Sequence, residues 1–265
     1  MFNKSNWIKA LCDLSNGMAA WRIWTALGWN DVVARYRRST FGPLWLTLSM
    51  GVTIVAIGIY FSQLFHMPID DYLPFLAVGL IVWNFTASLI NEGCLTFVSQ
   101  HSIIRGIALP YSVHTFRFVY RALIMFLHNA LIYVFVIIYF RVAVNADTLL
   151  AIFGIAFLVL NGVWVSLLLG LLSARFRDIP QVVQNMMQVL FFITPVFWKP
   201  DAIPGREILF LANPLFHFIE LIRQPLLGQA PTLLNWTVVL AVTLLGWTVT
   251  FLFFSGYRRR IAYWV

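Results

Sequence analysis

The stretch ARFRDIPQVVQNMMQVLFFITPVFW, residues 174–198, decides what kind of fold this chain adopts. It opens on Arg175, Arg177 and Asp178 against Pro180, runs through an amide-rich turn, and continues into apolar sequence broken by Thr194-Pro195. A soluble helix would not carry so many phenylalanines. An ordinary lipid-facing span would not carry Gln184, Asn185 and Gln188, because hydrocarbon offers an amide no hydrogen-bond partner. The stretch therefore belongs to a membrane protein, in a helix with something other than lipid on its polar side.

Composition extends that reading to the whole chain. Of 265 residues, 61% are hydrophobic, 17% aromatic and only 11% charged, against about 25% charged in soluble domains. The formal charge of +8 does not indicate a nucleic-acid partner, since the basic residues lie between hydrophobic stretches and at the ends, where they act as topology signals. Cys12 and Cys94 are too far apart in sequence to suggest a disulfide framework or a zinc site. Cys94 reads as a small buried apolar residue. The first 40 residues hold six basic side chains but no uninterrupted apolar core of signal-peptide type.

A spanning helix needs about 20 mostly apolar residues. Six runs qualify, near 43–65, 72–98, 115–140, 148–172, 180–198 and 233–255. With the N-terminus inside, the outer segments hold only Arg141, Lys199, Arg206 and Arg223, leaving fourteen of the 18 basic residues on the inner side. Residues 203–228 are apolar, but Pro204, Pro214 and Pro225 cut them into pieces too short to cross alone. A single crossing there would also carry Arg258–Arg260 to the outside. They read as a re-entrant hairpin entering from the outer face, its broken backbone buried against protein. The expected partition is a cytosolic and interfacial segment at 1–41, a six-span all-α membrane domain at 42–256, and a cytosolic basic-aromatic tail at 257–265.

Each local motif supports a plain and a functional reading. Arg35, Arg37 and Arg38 precede Pro43, which suits a first helical turn. They are either anchors at the anionic inner leaflet, gaining about 1 kcal/mol each, or guanidinium forks facing a phosphate-bearing ligand. Upstream, Met18 to Val33 reads as one interfacial helix with Trp21, Trp24 and Trp29 at headgroup depth, although Asp31 intrudes on its apolar side. Between the second and third spans, residues 99–111 read as a short helix starting near Ser102. It would put Ile103, Ile104, Ile107 and Ala108 on one face, beside Arg105. That face either folds back on the protein or docks a cytosolic subunit.

Glu92 falls near the inner end of its span, where it can pair with an arginine. His128, Asn129 and Asn161 lie nearer mid-membrane and read as interhelical hydrogen-bond partners. Tyr60, Trp83, Phe85, Tyr120 and Tyr133 either pack against neighbours or line a pathway over which sugar rings slide. Leu215, Phe218, Ile219 and Ile222 form an apolar stripe on the outer hairpin, with Glu220 and Arg223 as an exposed pair on its polar side. That helix is a movable outer gate or a static plug.

RYRRSTFGPLW at residues 35–45, the opening stretch at 174–198, NPLFHFIELIRQPLLG at 213–228 and YRRRIAYWV at 257–265 occur in one order. In that order they resemble the membrane permeases of type-2 ABC exporters, in the polysaccharide branch that moves O-antigen, capsule or teichoic acid chains. The likeness covers nearly the whole chain. It implies a homodimer over two separate ATP-binding subunits, which would bind ATP and Mg, with no cofactor in this chain and with membrane lipids around it. It also implies a lipid-linked polysaccharide substrate, residence in the bacterial inner membrane, and cytosolic termini. The helix at 99–111 then becomes a coupling helix, and Arg175, Arg177 and Asp178 a second contact with the ATPase subunit. The sequence lacks the phosphate-binding pattern G-x-x-x-x-G-K-[ST]. Against this stand an ion-coupled secondary transporter, which needs a midplane ionisable relay, and a membrane-embedded transferase, which needs convergent acid, base or nucleophilic groups.

Overall fold

The computed structural model describes residues 4–37, 42, 44–200 and 208–265. Arg38, Pro43, Pro204 and Arg206, together with the start of the expected hairpin, lie outside the described residues. The described residues fold as helices and the turns between them. The N-terminal segment forms α1 (Lys4–Ala19) and α2 (Trp21–Tyr36), followed by α3 (Leu44–Leu64) and α4 (Ile69–Asn91). Next come the six-residue α5 (His101–Gly106), α6 (Tyr111–Phe140), α7 (Leu150–Arg175) and α8 (Ile179–Ile193). The chain finishes with α9 (Ile208–Leu211), α10 (Pro214–Leu226), α11 (Leu233–Tyr257) and α12 (Ile261–Trp264).

Five of these, α3, α4, α6, α7 and α11, are long and apolar enough to cross a membrane. The run expected as a sixth span at 180–198 gives α8, whose 15 residues extend about 22 Å, short of a hydrocarbon core of about 30 Å. Pro195 sets that limit. The residue before a proline is pushed out of the α region, and Thr194 is accordingly extended, at φ −81° and ψ 133°.

The bundle is organised around α4. Its side chains from Tyr72 to Val82 are buried all round, the pattern of a helix surrounded by other helices. It packs on α3, α6, α7, α8 and α10. Helix α10 is nearly as enclosed, held by α4, α7 and α11. Gly154 of α7 permits this approach, since a Cβ there would lie 2.7 Å from the backbone oxygen of Leu221. Asn161 of α7 donates to Thr243 of α11 at 2.8 Å, the interhelical role expected of it. His128 instead bonds the Ile124 carbonyl of its own helix, at 2.8 Å.

Two expectations change in the N-terminal half. The interfacial segment is two helices, broken at Ala20, instead of one from Met18 to Val33. The inner loop forms a helix only to Gly106, because Ile107 is extended at φ −133° and ψ 130°. Ile107 and Ala108 therefore do not share a helical face with Ile103 and Ile104.

Candidate partner-docking face and outer cavity

The functional candidates divide between two ends of the bundle. One end holds α1, α5, the α7–α8 elbow and the tail; the other holds α10 with the turns that surround it.

At the tail end, Asp13 of α1 is buried and does work that local sequence leaves undone. Pro110 precedes α6 and has no side chain able to cap it. Asp13 accepts instead from the backbone N–H groups of Tyr111, at 3.2 Å, and Ser112, at 3.0 Å. It also accepts from the Ser112 hydroxyl at 2.9 Å and from Arg258 Nε at 2.6 Å. The carboxylate sits where the dipole of α6 favours negative charge, and it joins α1 to the end of α11.

A second charged cluster holds α2 against α6. Arg117 grips Asp31 with two guanidinium nitrogens, at 2.7 and 2.5 Å, and donates to Gln100 at 2.8 Å. Arg121 donates to Glu92 at 2.9 Å, as expected for Glu92, and lies 4.0 Å from Asp31. Asp31, which disturbed the apolar periodicity of α2, is the residue that fastens that helix. Bidentate Arg–carboxylate pairs are strong and geometrically specific.

The two expected contacts with a cytosolic subunit meet at the tail. Arg105 of α5 donates to the backbone oxygen of Val265. Arg177 of the α7–α8 elbow donates to the carbonyl of Trp264 at 2.8 Å. Arg175 stands over the rings of Phe176 and Trp264, at 5.6 and 6.0 Å. Asp178 is exposed at the start of α8 and makes no side-chain cap bond. The tail folds back, with Ile261 and Val265 in an apolar cluster with Ala10, Phe97, Leu167 and Phe254. Ile104 packs against that cluster and Ile103 is half-buried, while Ser102 and Ala108 are exposed and Ile107 is 59% exposed. Beside them, α1 and the segment from Ile104 to Tyr111 enclose a cleft of about 730 Å³ that includes Lys9, Arg105 and Arg258.

Arg35 and Arg37 are exposed at the C-terminal end of α2, where their charge suits the helix dipole. Between them, Tyr36 is half-buried and donates to Met125 Sδ at 3.6 Å. Burial pushes its phenol above the ordinary tyrosine value.

The five aromatic pathway candidates do not form one lining within the chain. Phe85 stacks on Phe126 at 4.6 Å in the core, and Trp83 is buried against Phe191. Tyr133 is buried and donates to the Leu226 carbonyl at 2.6 Å. Tyr120 packs edge-on to Trp24 of α2. Tyr60 alone of the five is largely exposed, beside Phe61. By contrast, Gln181, Gln184, Asn185 and Gln188 form an exposed amide stripe along α8.

At the α10 end, Phe218, Ile219 and Ile222 are buried and Leu215 is half-buried. The Glu220–Arg223 pair is not exposed as expected: Glu220 is 6% accessible and Arg223 0%. Arg223 Nε donates to Glu220 Oε1 at 2.9 Å, and its guanidinium lies 3.9 Å from the centre of the Phe75 ring. Helix α10 therefore buries its charged pair and leaves only Gln224 of that side part-exposed. Asn213 caps it, accepting from Leu215 N at 3.0 Å, and ties it to α8 by donating to Thr194 Oγ1 at 2.7 Å.

Sequence reading missed Asp13, Arg258 and the backbone of the tail. Nothing local signals Asp13, whose partners lie far along the chain. The interrupted periodicity at Asp31 was a signal that named no partner.

The comparisons with known proteins agree with this architecture. Residues 22–227 match the ABC-2 type transporter family. Two relatives from Klebsiella pneumoniae, each named O-antigen export system permease protein RfbA, are 26% identical over 195 residues and 25% identical over 194. Each alignment covers 71% of this chain and 74% of the relative. A protein of the same name from Myxococcus xanthus is 23% identical over 189 residues, covering 70% of this chain and 72% of that one.

Proposed function

The chain belongs to the ABC-2 type transporter family, and from that premise we propose that it is the membrane permease of an ATP-driven exporter of lipid-linked polysaccharide, with O-antigen the first choice of cargo. Capsular polysaccharide and teichoic acid are the alternatives within the same chemistry. The observation that carries the reading is the amide stripe of α8, Gln181, Gln184, Asn185 and Gln188, open on the single chain. In a bilayer such a face needs a partner or water. A second copy across a shared hydrated path supplies both, and amides offer donors and acceptors to a passing glycan without fixing it in one register.

In this reading the chain works as a homodimer in the bacterial inner membrane with both termini cytosolic. The α8 region, with the segment that follows Pro195, completes a sixth crossing and turns into the hairpin at 203–228. Helix α10 closes the outer end as an enclosed plug, since its own polar pair is buried within the chain. Two ATP-binding subunits lie beneath and bind ATP and Mg. They meet the exposed Ile107–Ala108 corner and the Arg175–Asp178 elbow, which the tail holds together. Arg35 and Arg37, exposed on the single chain, engage a lipid pyrophosphate at the inner leaflet in this reading.

Depleting the chain in its own host is expected to remove a polysaccharide from the cell surface and accumulate it in the cytoplasm. Inactivating the partner ATPase is expected to do the same. Export that continues without ATP hydrolysis would make the protein a secondary transporter instead.

A further inference from the structure

The α10 end contains a cavity of about 610 Å³ that no part of the transport reading uses. It lies among the N-terminal turn of α4, the end of α6, the turn after α8, and α10. Six ionisable groups line it: Asp70, Asp71, Arg141, Lys199, Glu220 and Arg223. Its volume falls within the range of about 300–1,000 Å³ typical of small-molecule sites.

Three features separate this cavity from an ordinary surface cleft. The first is its floor. Glu220 and Arg223 are buried and bonded to each other beneath the opening. The second is its rim. Asp70, Asp71 and Arg141 are exposed, and among the described residues none of them forms an ion pair. Lys199 likewise has none, resting with its ammonium 5.6 Å from the centre of the Phe75 ring.

The third feature is Arg141 itself. It ends α6 in the left-handed conformation, at φ 52° and ψ 40°, where glycine is the residue the backbone favours. The chain thus accepts strain to put an arginine side chain at this spot. Moreover, Arg141, Lys199 and Arg223 are three of the four basic residues that the charge pattern assigns to the outer side. Topology gives no reason for basic residues there, and three of these exceptions converge on one cavity.

The balance of charge selects the ligand. With Glu220 and Arg223 paired to each other, two acids at the rim, Asp70 and Asp71, face two bases, Arg141 and Lys199, so an anion meets the carboxylates and a cation meets the guanidinium and ammonium. A neutral molecule with many hydroxyls satisfies both sets, since each hydroxyl donates to a carboxylate and accepts from an arginine or lysine. Gln224 adds an amide to the same lining. We propose that this cavity binds a neutral hexose unit of the exported glycan at the outer face of each permease chain. The proposal rests on the transport reading for the origin of that sugar, but the site lies within one chain and needs no second copy.

The test uses the full chain in lipid nanodiscs, titrated with methyl mannopyranoside and methyl glucopyranoside and read by saturation-transfer NMR. Methyl glucuronide and glucosamine serve as the anionic and cationic comparisons. A neutral glycoside is expected to bind more tightly than either charged sugar. Arg141→Gly and the pair Asp70→Asn/Asp71→Asn are each expected to raise its apparent Kd at least tenfold. Arg141→Gly relieves the left-handed arginine, so its unfolding temperature should equal or exceed that of the wild type, and it carries the test even if the Asn pair folds poorly. No saturable binding by the wild type, an unchanged Kd in Arg141→Gly, or tighter binding of a charged sugar would overturn the site. Surface glycan in a depletion strain tests transport separately: normal export by a chain that binds no sugar removes the cavity assignment alone.

Discussion

At the α10 end the chain buries an ion pair inside its own packing, with Arg223 fully enclosed and Glu220 nearly so. At the tail end Ile107 stands open, while Arg105 and Arg177 bond the tail backbone nearby. Both regions are short helical pieces between spans, and both carry apolar residues with nearby charge. They differ in what surrounds them. Helix α10 lies against α4, α7 and α11, so its charged pair is enclosed by protein. The α5 region packs on the tail helix α12, and Ile107 at its end remains exposed. Similar sequence patterns thus give one enclosed helix and one with an exposed corner.

That contrast is broken most directly at Arg223. Replacing it with Ala leaves Glu220 buried without a partner, and removing one member of a buried pair costs about 3–5 kcal/mol. Arg223→Ala is expected to lower the unfolding temperature in detergent and reduce the amount of protein in the membrane. Glu220→Leu/Arg223→Met, which removes both charges, should recover much of that loss. A single mutant as stable as wild type would mean that α10 is solvated and free to move.

The tail end offers a milder version of the same experiment. Asp13→Ala removes the acceptor for two backbone N–H groups, a hydroxyl and Arg258. Because Arg258 keeps some access to solvent, the expected cost is about 2 kcal/mol, within the range for hydrogen bonds to a charged group. Asp13→Asn retains an oxygen and should fall between Ala and wild type in thermal unfolding. A loss as large as that of Arg223→Ala would show the tail end to be as tightly enclosed as α10.

The spans and the membrane class were legible because a long apolar run has one physical meaning, and α3 and α11 match their expected limits within about two residues. The short pieces were harder to read. A 13-residue amphipathic pattern such as α10 reports which residues differ in polarity, but not whether the polar side meets water or a buried partner. Glu220 and Arg223 therefore read as exposed when they are enclosed. Spacing also placed Ile107 on the face of Ile104, but the backbone turns extended after Gly106 and separates them. Asp13 illustrates a third limit: its value comes from the uncapped start of α6 and from Arg258, neither of which local periodicity can link to it.

The smallest expected change in stability tests the docking corner. Spacing pairs Ile104 with Ile107, but Ile104 packs against the chain's own apolar cluster and Ile107 is exposed. Asp at Ile104 would disturb the fold itself, so it cannot isolate a contact with another subunit. Asp at Ile107 puts a charge into solvent in the free chain, and a surface change of this kind is expected to stay within about 0.5 kcal/mol. In the assembled transporter the same charge would be buried without a partner, at a much larger cost. Purified Ile107→Asp is therefore expected to unfold like wild type while failing to retain the ATP-binding subunit on affinity purification. If it retains that subunit normally, the docking surface lies elsewhere, and the Arg175–Asp178 elbow becomes the next position to alter.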